Sequence, residues 1–275
     1  MVTLKKPKLT ASNYHSLQMN NMYWSASLCK SFLACEARTM AELRGEYERP
    51  QTDALLIGSY VDAAFESDGA FRTFKNQHAS EIYKKNGEPR AEFVKADQMI
   101  ERAKQDEVFM QYMRGRHQAI KTRTLFGVPF KAKFDVLRDS YKVKPEEHRI
   151  VDLKTVRDFK SKYKPGQGRV NFADEYWYSL QMALYQAIDG RHLPTYLACI
   201  SKEDPPSIAV VEIPQERLDA EMAFLSEKME RWKGIRAGVI EPTRCEDCAY
   251  CRATKKLSAP VSLDWYDFGA EEVET

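Results

Sequence analysis

The chain has 275 residues, 43% of them hydrophobic and 30% charged, and its formal net charge is +2. That composition is ordinary for a soluble globular protein, and the length suffices for one large domain or a domain with a small appendage. No apolar run is long enough to cross a membrane. The start, MVTLKKPKLTASNYHSL, lacks the apolar stretch of a secretory signal, so a cytoplasmic protein is expected. A near-neutral total does not argue for a nucleic-acid partner, which has to be read from where the charges sit.

In chain order, YWSASLCKSFLACEARTMAELRGEYE predicts a helix over 23–48, with Leu28, Phe32 and Cys35 at i, i+4 and i+7 as its apolar stripe. A second helix is predicted over 52–66, capped by Thr52 or Asp53, and a third over 92–115, stopped by Gly115. The period then changes. Segments 117–126 and 128–137 are strand-like, with Gly127 in the turn between them, and RIVDLKT, 149–155, is a third strand. Helical spacing returns over 172–188. Strands are predicted over 195–201 and 208–213, and a long amphipathic helix over 216–238. The expected layout is α/β, a mixed sheet flanked by helices.

The informative strand is RIVDLKT. Side chains alternate across a strand, so Asp152 and Lys154 share one face while Val151, Leu153 and Thr155 share the other. In VPFKAKFDV, Phe130, Ala132, Phe134 and Val136 share one face, and Lys131, Lys133 and Asp135 share the opposite one. If the two strands are neighbours, Asp135 and Asp152 converge with Lys154 beside them. Two close carboxylates repel, and a hard divalent cation such as Mg²⁺ relieves that repulsion. A nearby lysine can orient or deprotonate a water, which completes the equipment for phosphodiester hydrolysis. Taken alone, a D-x-K triplet fits a salt-bridged surface equally well.

FKAKFD followed by RIVDLKT resembles the PD-(D/E)XK nuclease superfamily, whose core carries Asp on one strand and (D/E)-x-K on the next. YSLQMALY resembles the Q-x-x-x-Y helix of its RecB-like branch, with Gln181 and Tyr185 on one helix face. IGSYVDAAFE resembles the same branch's G-x-x-x-H-x-x-x-E helix, from Gly58 to Glu66, with Asp62 in place of the histidine ligand. The resemblance implies a restriction-endonuclease-like core and a DNA exonuclease of the RecE-like phage-recombination group. It implies Mg²⁺ or Mn²⁺ held by Asp62, Asp135, Asp152 and the Leu153 carbonyl, with Lys154 on the water. Gln181 and Tyr185 would orient substrate, and Glu66 would play a supporting role. The implied partners are DNA, as linear duplex or single-stranded ends, and a single-strand annealing protein. No membrane partner is expected, and a homo-oligomer is compatible with the reading. A CRISPR-adaptation-type end trimmer and a non-catalytic DNA-binding protein are the alternatives. The domain is expected over 1–256, with a helical region over 1–115, a catalytic core over 116–240 and a cysteine segment over 241–256. An acidic tail, 257–275, follows.

The stretch KTVRDFKSKYKPGQGR, 154–169, follows the D-x-K strand directly and has six Lys or Arg against Asp158 as its single acid. Arg157, Lys160, Lys162, Lys164 and Arg169, with Lys131 and Lys133, are the expected phosphate contacts, and Tyr163 could stack on a base. CEDCAYC sets Cys245, Cys248 and Cys251 at even spacing. Three thiolates so placed need a fourth ligand for a zinc site or a [4Fe–4S] cluster, and free thiols are the bland alternative. SASLCKSFLACE resembles the upstream S-x-S…C pattern of AddB-type and CRISPR-adaptation exonucleases. That resemblance implies Cys35, rather than Cys29, as the fourth ligand and [4Fe–4S] ahead of zinc. The last cysteine gap is shorter here than in those relatives. Cys199 is expected to be a buried small hydrophobe.

Overall fold

The computed structural model describes residues 7–50, 52–164, 166, 168–260 and 262–263. Among the described residues eight helices precede the sheet: α1 (Leu17–Met22), α2 (Ala26–Ala34), α3 (Glu36–Arg44), α4 (Asp53–Glu66), α5 (Asp68–Gln77), α6 (Ala79–Ile82), α7 (Ala91–Lys104) and α8 (Glu107–Tyr112). Then come β1 (Arg116–Leu125), β2 (Val128–Arg138), β3 (Arg149–Val156) and a two-stranded ribbon of β4 (Lys162–Lys164) and β5 (Gly168–Val170). Helices α9 (Phe172–Glu175) and α10 (Tyr178–Asp189) lead to β6 (Thr195–Ser201), β7 (Ile208–Glu212), α11 (Gln215–Arg236) and α12 (Ala249–Ala253). Among the described residues no helix is long and apolar enough to cross a membrane.

The main sheet runs β1-β2-β3-β6-β7. Its first three strands form an antiparallel meander. β3 pairs in parallel with β6 from Ile150↔Thr195 to Val156↔Ser201, which requires a crossover, and α9 and α10 supply it. One face of the sheet packs on α2, α10 and α11 through Phe32, Leu180, Leu184, Met229 and Trp232. The other packs on α4, α7 and α8 through Val61, Phe93, Met99 and Phe109. The fold is therefore α/β with a mixed, helix-flanked sheet.

Three predicted helices are broken, each for a local reason. The segment 23–48 becomes α2 and α3: Ser25 Oγ caps α2 by accepting from Leu28 N, and Cys35 between the helices is extended, its thiol accepting from Arg38 N. The segment 92–115 breaks at Asp106, whose carboxylate caps α8. The segment 172–188 breaks at Trp177, which holds φ 51° and ψ 43° at the start of α10. The ribbon β4–β5 begins inside the basic stretch 154–169, where no strand beyond residue 155 is predicted. The expected acidic tail lies largely outside the described residues, including Asp264, Asp267, Glu271, Glu272 and Glu274.

Two strand-face expectations are corrected. Val136 does not share a core with Phe130, Ala132 and Phe134 but joins the opposite one. Pairing lapses between His117↔Val136 and Ala119↔Phe134, where Gln118 takes φ 52°, and the simple alternation ends there. Lys131 is not an exposed phosphate contact. It is buried, its Nζ donating to the Tyr14 carbonyl and to Asn20 Oδ1 at 2.8 Å, because the N-terminal segment covers that stretch of β2. Burial pushes its ammonium down to about 8.

Candidate active site

The ladder between β2 and β3 ends at Val136↔Val151, and one step further stand Asp135 and Asp152. In place of a backbone partner, Leu153 N donates to Asp135 Oδ2 at 2.9 Å. The two strands thus diverge where their acids begin. A cavity of about 430 Å³ opens there, lined by Asp135 and Lys133 of β2, Asp152 and Lys154 of β3, Asp62 and Glu66 of α4, and Gln181 and Tyr185 of α10. Segments far apart in sequence converge because α4 and α10 lie on opposite faces of one sheet.

Asp152 is buried. Its Oδ1 accepts from Gln181 Nε2 at 2.8 Å, and its Oδ2 faces the Lys154 ammonium as an ion pair. Gln181 Nε2 also reaches Tyr185 Oη at 3.1 Å, and that hydroxyl donates to the Lys133 carbonyl at 3.1 Å. Lys154 Nζ further donates to the Leu153 carbonyl at 3.3 Å. Burial brings the Asp62 carboxyl up to about 7; the Lys154 ammonium pulls against it, and the Asp152 carboxylate adds to it. Burial, Asp152 and Asp62 hold Asp135 well above the usual carboxylate range. For Lys154 burial opposes the charge, but Asp152, Asp135 and Asp62 outweigh it and keep it protonated. Glu66 is exposed at the cavity's edge.

This donor set suits a hard divalent cation. Asp62, Glu66, Asp135 and Asp152 line one cavity, burial holds Asp62 and Asp135 above the usual carboxylate range, and an added cation would favour their charged forms. The acids are not drawn into a tight cage, however, and the Lys154 ammonium takes the place of positive charge at Asp152.

Among the described residues, the four thiols of Cys35, Cys245, Cys248 and Cys251 are the group whose donor atoms all lie within 4.8 Å of one another. Cys35 Sγ is 3.5 Å and Cys245 Sγ 3.9 Å from Cys251 Sγ. Backbone N–H groups point at the sulfurs: Arg38 N at Cys35 Sγ (3.4 Å), Cys248 N at Cys245 Sγ (3.3 Å) and Cys251 N at Cys248 Sγ (3.5 Å). Burial raises the Cys245 thiol, but the Cys248 and Asp247 amides outweigh it and bring it down to about 6. The break at Cys35 between α2 and α3 presents the fourth sulfur. Cys29 and Cys199 are buried in the core, away from this group.

A sequence model of a PDDEXK-like domain of unknown function (DUF3799) matches residues 25–254. The chain belongs to the DUF3799 family. A solved structure from Eubacterium rectale, described as a "putative exonuclease", is 34% identical to this DUF3799 chain and superposes with a TM-score of 0.88. The match covers 96% of this chain and 99% of that one. A comparison with curated proteins found no match.

Of the expected phosphate contacts on this DUF3799 domain, Lys133 lines the cavity, while Arg157, Lys160 and Arg169 are exposed and Lys162 and Lys164 half-buried. Arg157 pairs with Asp158 and Lys162 with Glu175. Tyr163 is exposed on the ribbon. Sequence reasoning missed Lys30, whose Nζ donates to Gln181 Oε1 at 2.6 Å, and Tyr178, whose ring lies 5.1 Å from Lys30 Nζ and 5.3 Å from Lys154 Nζ. The one signal for Lys30 was its place as the single charged residue in the apolar helix ASLCKSFLA.

Proposed function

We propose that the protein is a metal-dependent exonuclease that hydrolyses phosphodiester bonds at the ends of linear DNA. The observation that carries this reading is the convergence of Asp62, Asp135, Asp152, Lys154, Gln181 and Tyr185 on one cavity where β2 and β3 diverge. Asp62, Asp135, Asp152 and the Leu153 carbonyl would hold Mg²⁺ or Mn²⁺. When bound, the cation supplies charge neutralisation for a phosphate oxygen and lowers the pKa of a water. Lys154, kept protonated by its acids, donates hydrogen bonds and orients the attacking water instead of taking its proton. Gln181 holds the Asp152 carboxylate, and Tyr185 anchors Gln181 to the β2 backbone. Lys160, Lys164 and Arg169 on and beside the ribbon track phosphates without reading sequence.

The cysteines form a second, structural centre in this reading. Four thiolates about 2.3 Å from one tetrahedral ion stand about 3.8 Å apart. A four-iron cluster spreads its cysteine sulfurs over separate irons, roughly 6 Å apart. The separations of 3.5 and 3.9 Å, with all four sulfurs inside 4.8 Å, favour a single ion such as Zn²⁺.

The test is cleavage of linear duplex against covalently closed circles of the same sequence, with Mg²⁺ and with EDTA. Linear DNA is degraded only with metal, and circles persist. Equal cutting of circles would make the enzyme an endonuclease, and no cutting with Mg²⁺ or Mn²⁺ would leave a DNA-binding module.

A further inference from the structure

We infer that Lys30 is a positioning residue of this site: its Nζ fixes the Gln181 amide and, through it, the Asp152 carboxylate. The inference rests on the nuclease reading above and adds a residue from α2 to it. The Asp152 carboxylate only accepts, so the Gln181 atom that meets it is the amide nitrogen, which leaves Oε1 to accept from Lys30 Nζ at 2.6 Å. That orientation turns the amide nitrogen toward Asp152 Oδ1 at 2.8 Å and Tyr185 Oη at 3.1 Å. With the amide reversed, two acceptors would face each other at Asp152. The relay thus joins α2 to α10, α10 to β3 and, through Tyr185 and the Lys133 carbonyl, to β2.

The packing shows no other use for the charge. Lys30 is half-buried, meets the Tyr178 ring and has no carboxylate partner within ion-pair distance among the described residues. Burial, and then the Lys154 ammonium, push its amine down to about 7, so an apolar side chain would serve the helix better. The Gln181 contact gives a lysine at this place a purpose.

The experiment compares wild type with Lys30→Met, Lys30→Arg, Gln181→Met and the Lys30→Met/Gln181→Met double variant in Mg²⁺-dependent cleavage of linear duplex DNA. Loss of an outer-shell partner lowers activity by about 10- to 100-fold. Lys30→Met is therefore expected to lose that much in kcat, with unchanged DNA affinity and Tm, and Lys30→Arg to recover some of it. The double variant is expected to match Gln181→Met alone, because one relay is broken in both. Effects that multiply in the double variant, or a Lys30→Met loss confined to KM, would overturn the inference. A readout without turnover accompanies these: the Gln181 side-chain amide resonances in ¹⁵N-glutamine-labelled protein are expected to move and exchange faster in Lys30→Met. An unmoved amide overturns the Lys30 contact by itself. Wild-type protein that cuts no DNA with either metal overturns the nuclease reading, and the positioning role of Lys30 in cleavage with it.

Discussion

At the scale of single residues, the site is governed by how its charges offset one another. Asp152 is buried with one oxygen on Gln181 and the other on Lys154, so Lys154→Ala leaves a buried carboxylate without its cation. That variant is expected to lose cleavage by about 10²- to 10⁴-fold while DNA affinity, measured by anisotropy, stays near wild type. A variant with near-wild-type turnover would reduce Lys154 to a buried countercharge. Asp62 stands where the resembling nucleases carry histidine. Asp62→Ala should raise the Mg²⁺ concentration for half-maximal cleavage, and Asp62→His should keep more activity with a shift toward Mn²⁺, because nitrogen suits the softer ion. A metal titration in which Asp62→Ala matches wild type removes Asp62 from the site. The same carboxyl couples stability to pH. In the folded chain it keeps its proton to about 7, against an ordinary value of 3.8. Between those limits the folded state binds more protons than the unfolded state, so stability falls as pH rises. Protein freed of Mg²⁺ and Mn²⁺ should therefore have a lower Tm at pH 7 than at pH 5, and added Mn²⁺ should raise Tm more at pH 7. A flat profile would mean the acids are not crowded.

At the scale of elements, breaks and short ribbons carry the added features. The interruption at Cys35 ends α2, caps α3 and supplies the fourth sulfur, while Arg231 of α11 ties Glu36 and Thr243 together beside it. The cysteine segment is thereby clipped to the N-terminal helices from two sides. Metal analysis should find one ion per chain, lost in Cys35→Ala and kept in Cys29→Ala, since Cys29 is a core residue. A brown protein with about four irons would reject the single-ion reading. The basic ribbon and the buried lysine separate in the same way. Alanine at Lys160, Lys164 and Arg169 should weaken DNA binding alike for all sequences, and the slope of log K against log salt should drop by about 0.9 for each phosphate no longer neutralised. Lys131→Ala should leave that slope unchanged and instead destabilise the fold by about 1–3 kcal/mol, because it leaves buried acceptors at Tyr14 and Asn20 unmet. A changed slope in Lys131→Ala would return it to the DNA surface.

At the scale of the whole molecule, the sheet and the acidic core of the site were legible because they depend on short periods. Asp152 and Lys154 stand out on an apolar strand, and Gln181 and Tyr185 are one helical turn apart, so neighbours in sequence pattern become neighbours in space. Lys30 was not legible, because its partner Gln181 lies 151 residues away and only the packing of α2 on α10 joins them. The burial of Lys131 was hidden for the same reason: alternation assigns its face but not the segment that covers it. The break at Trp177 runs against propensity, since a bulky residue with positive φ is disfavoured wherever context does not impose it. The ribbon β4–β5 is too short to leave a period. The central claim, that the cavity where β2 and β3 diverge is a metal-dependent nuclease site, is tested most directly through Asp152, which keeps its shape as asparagine and loses its charge. Single-turnover cleavage of end-labelled linear duplex with Mg²⁺ should fall by at least about 10²-fold in Asp152→Asn, with DNA binding retained. Cleavage by Asp152→Asn at the wild-type rate would contradict it.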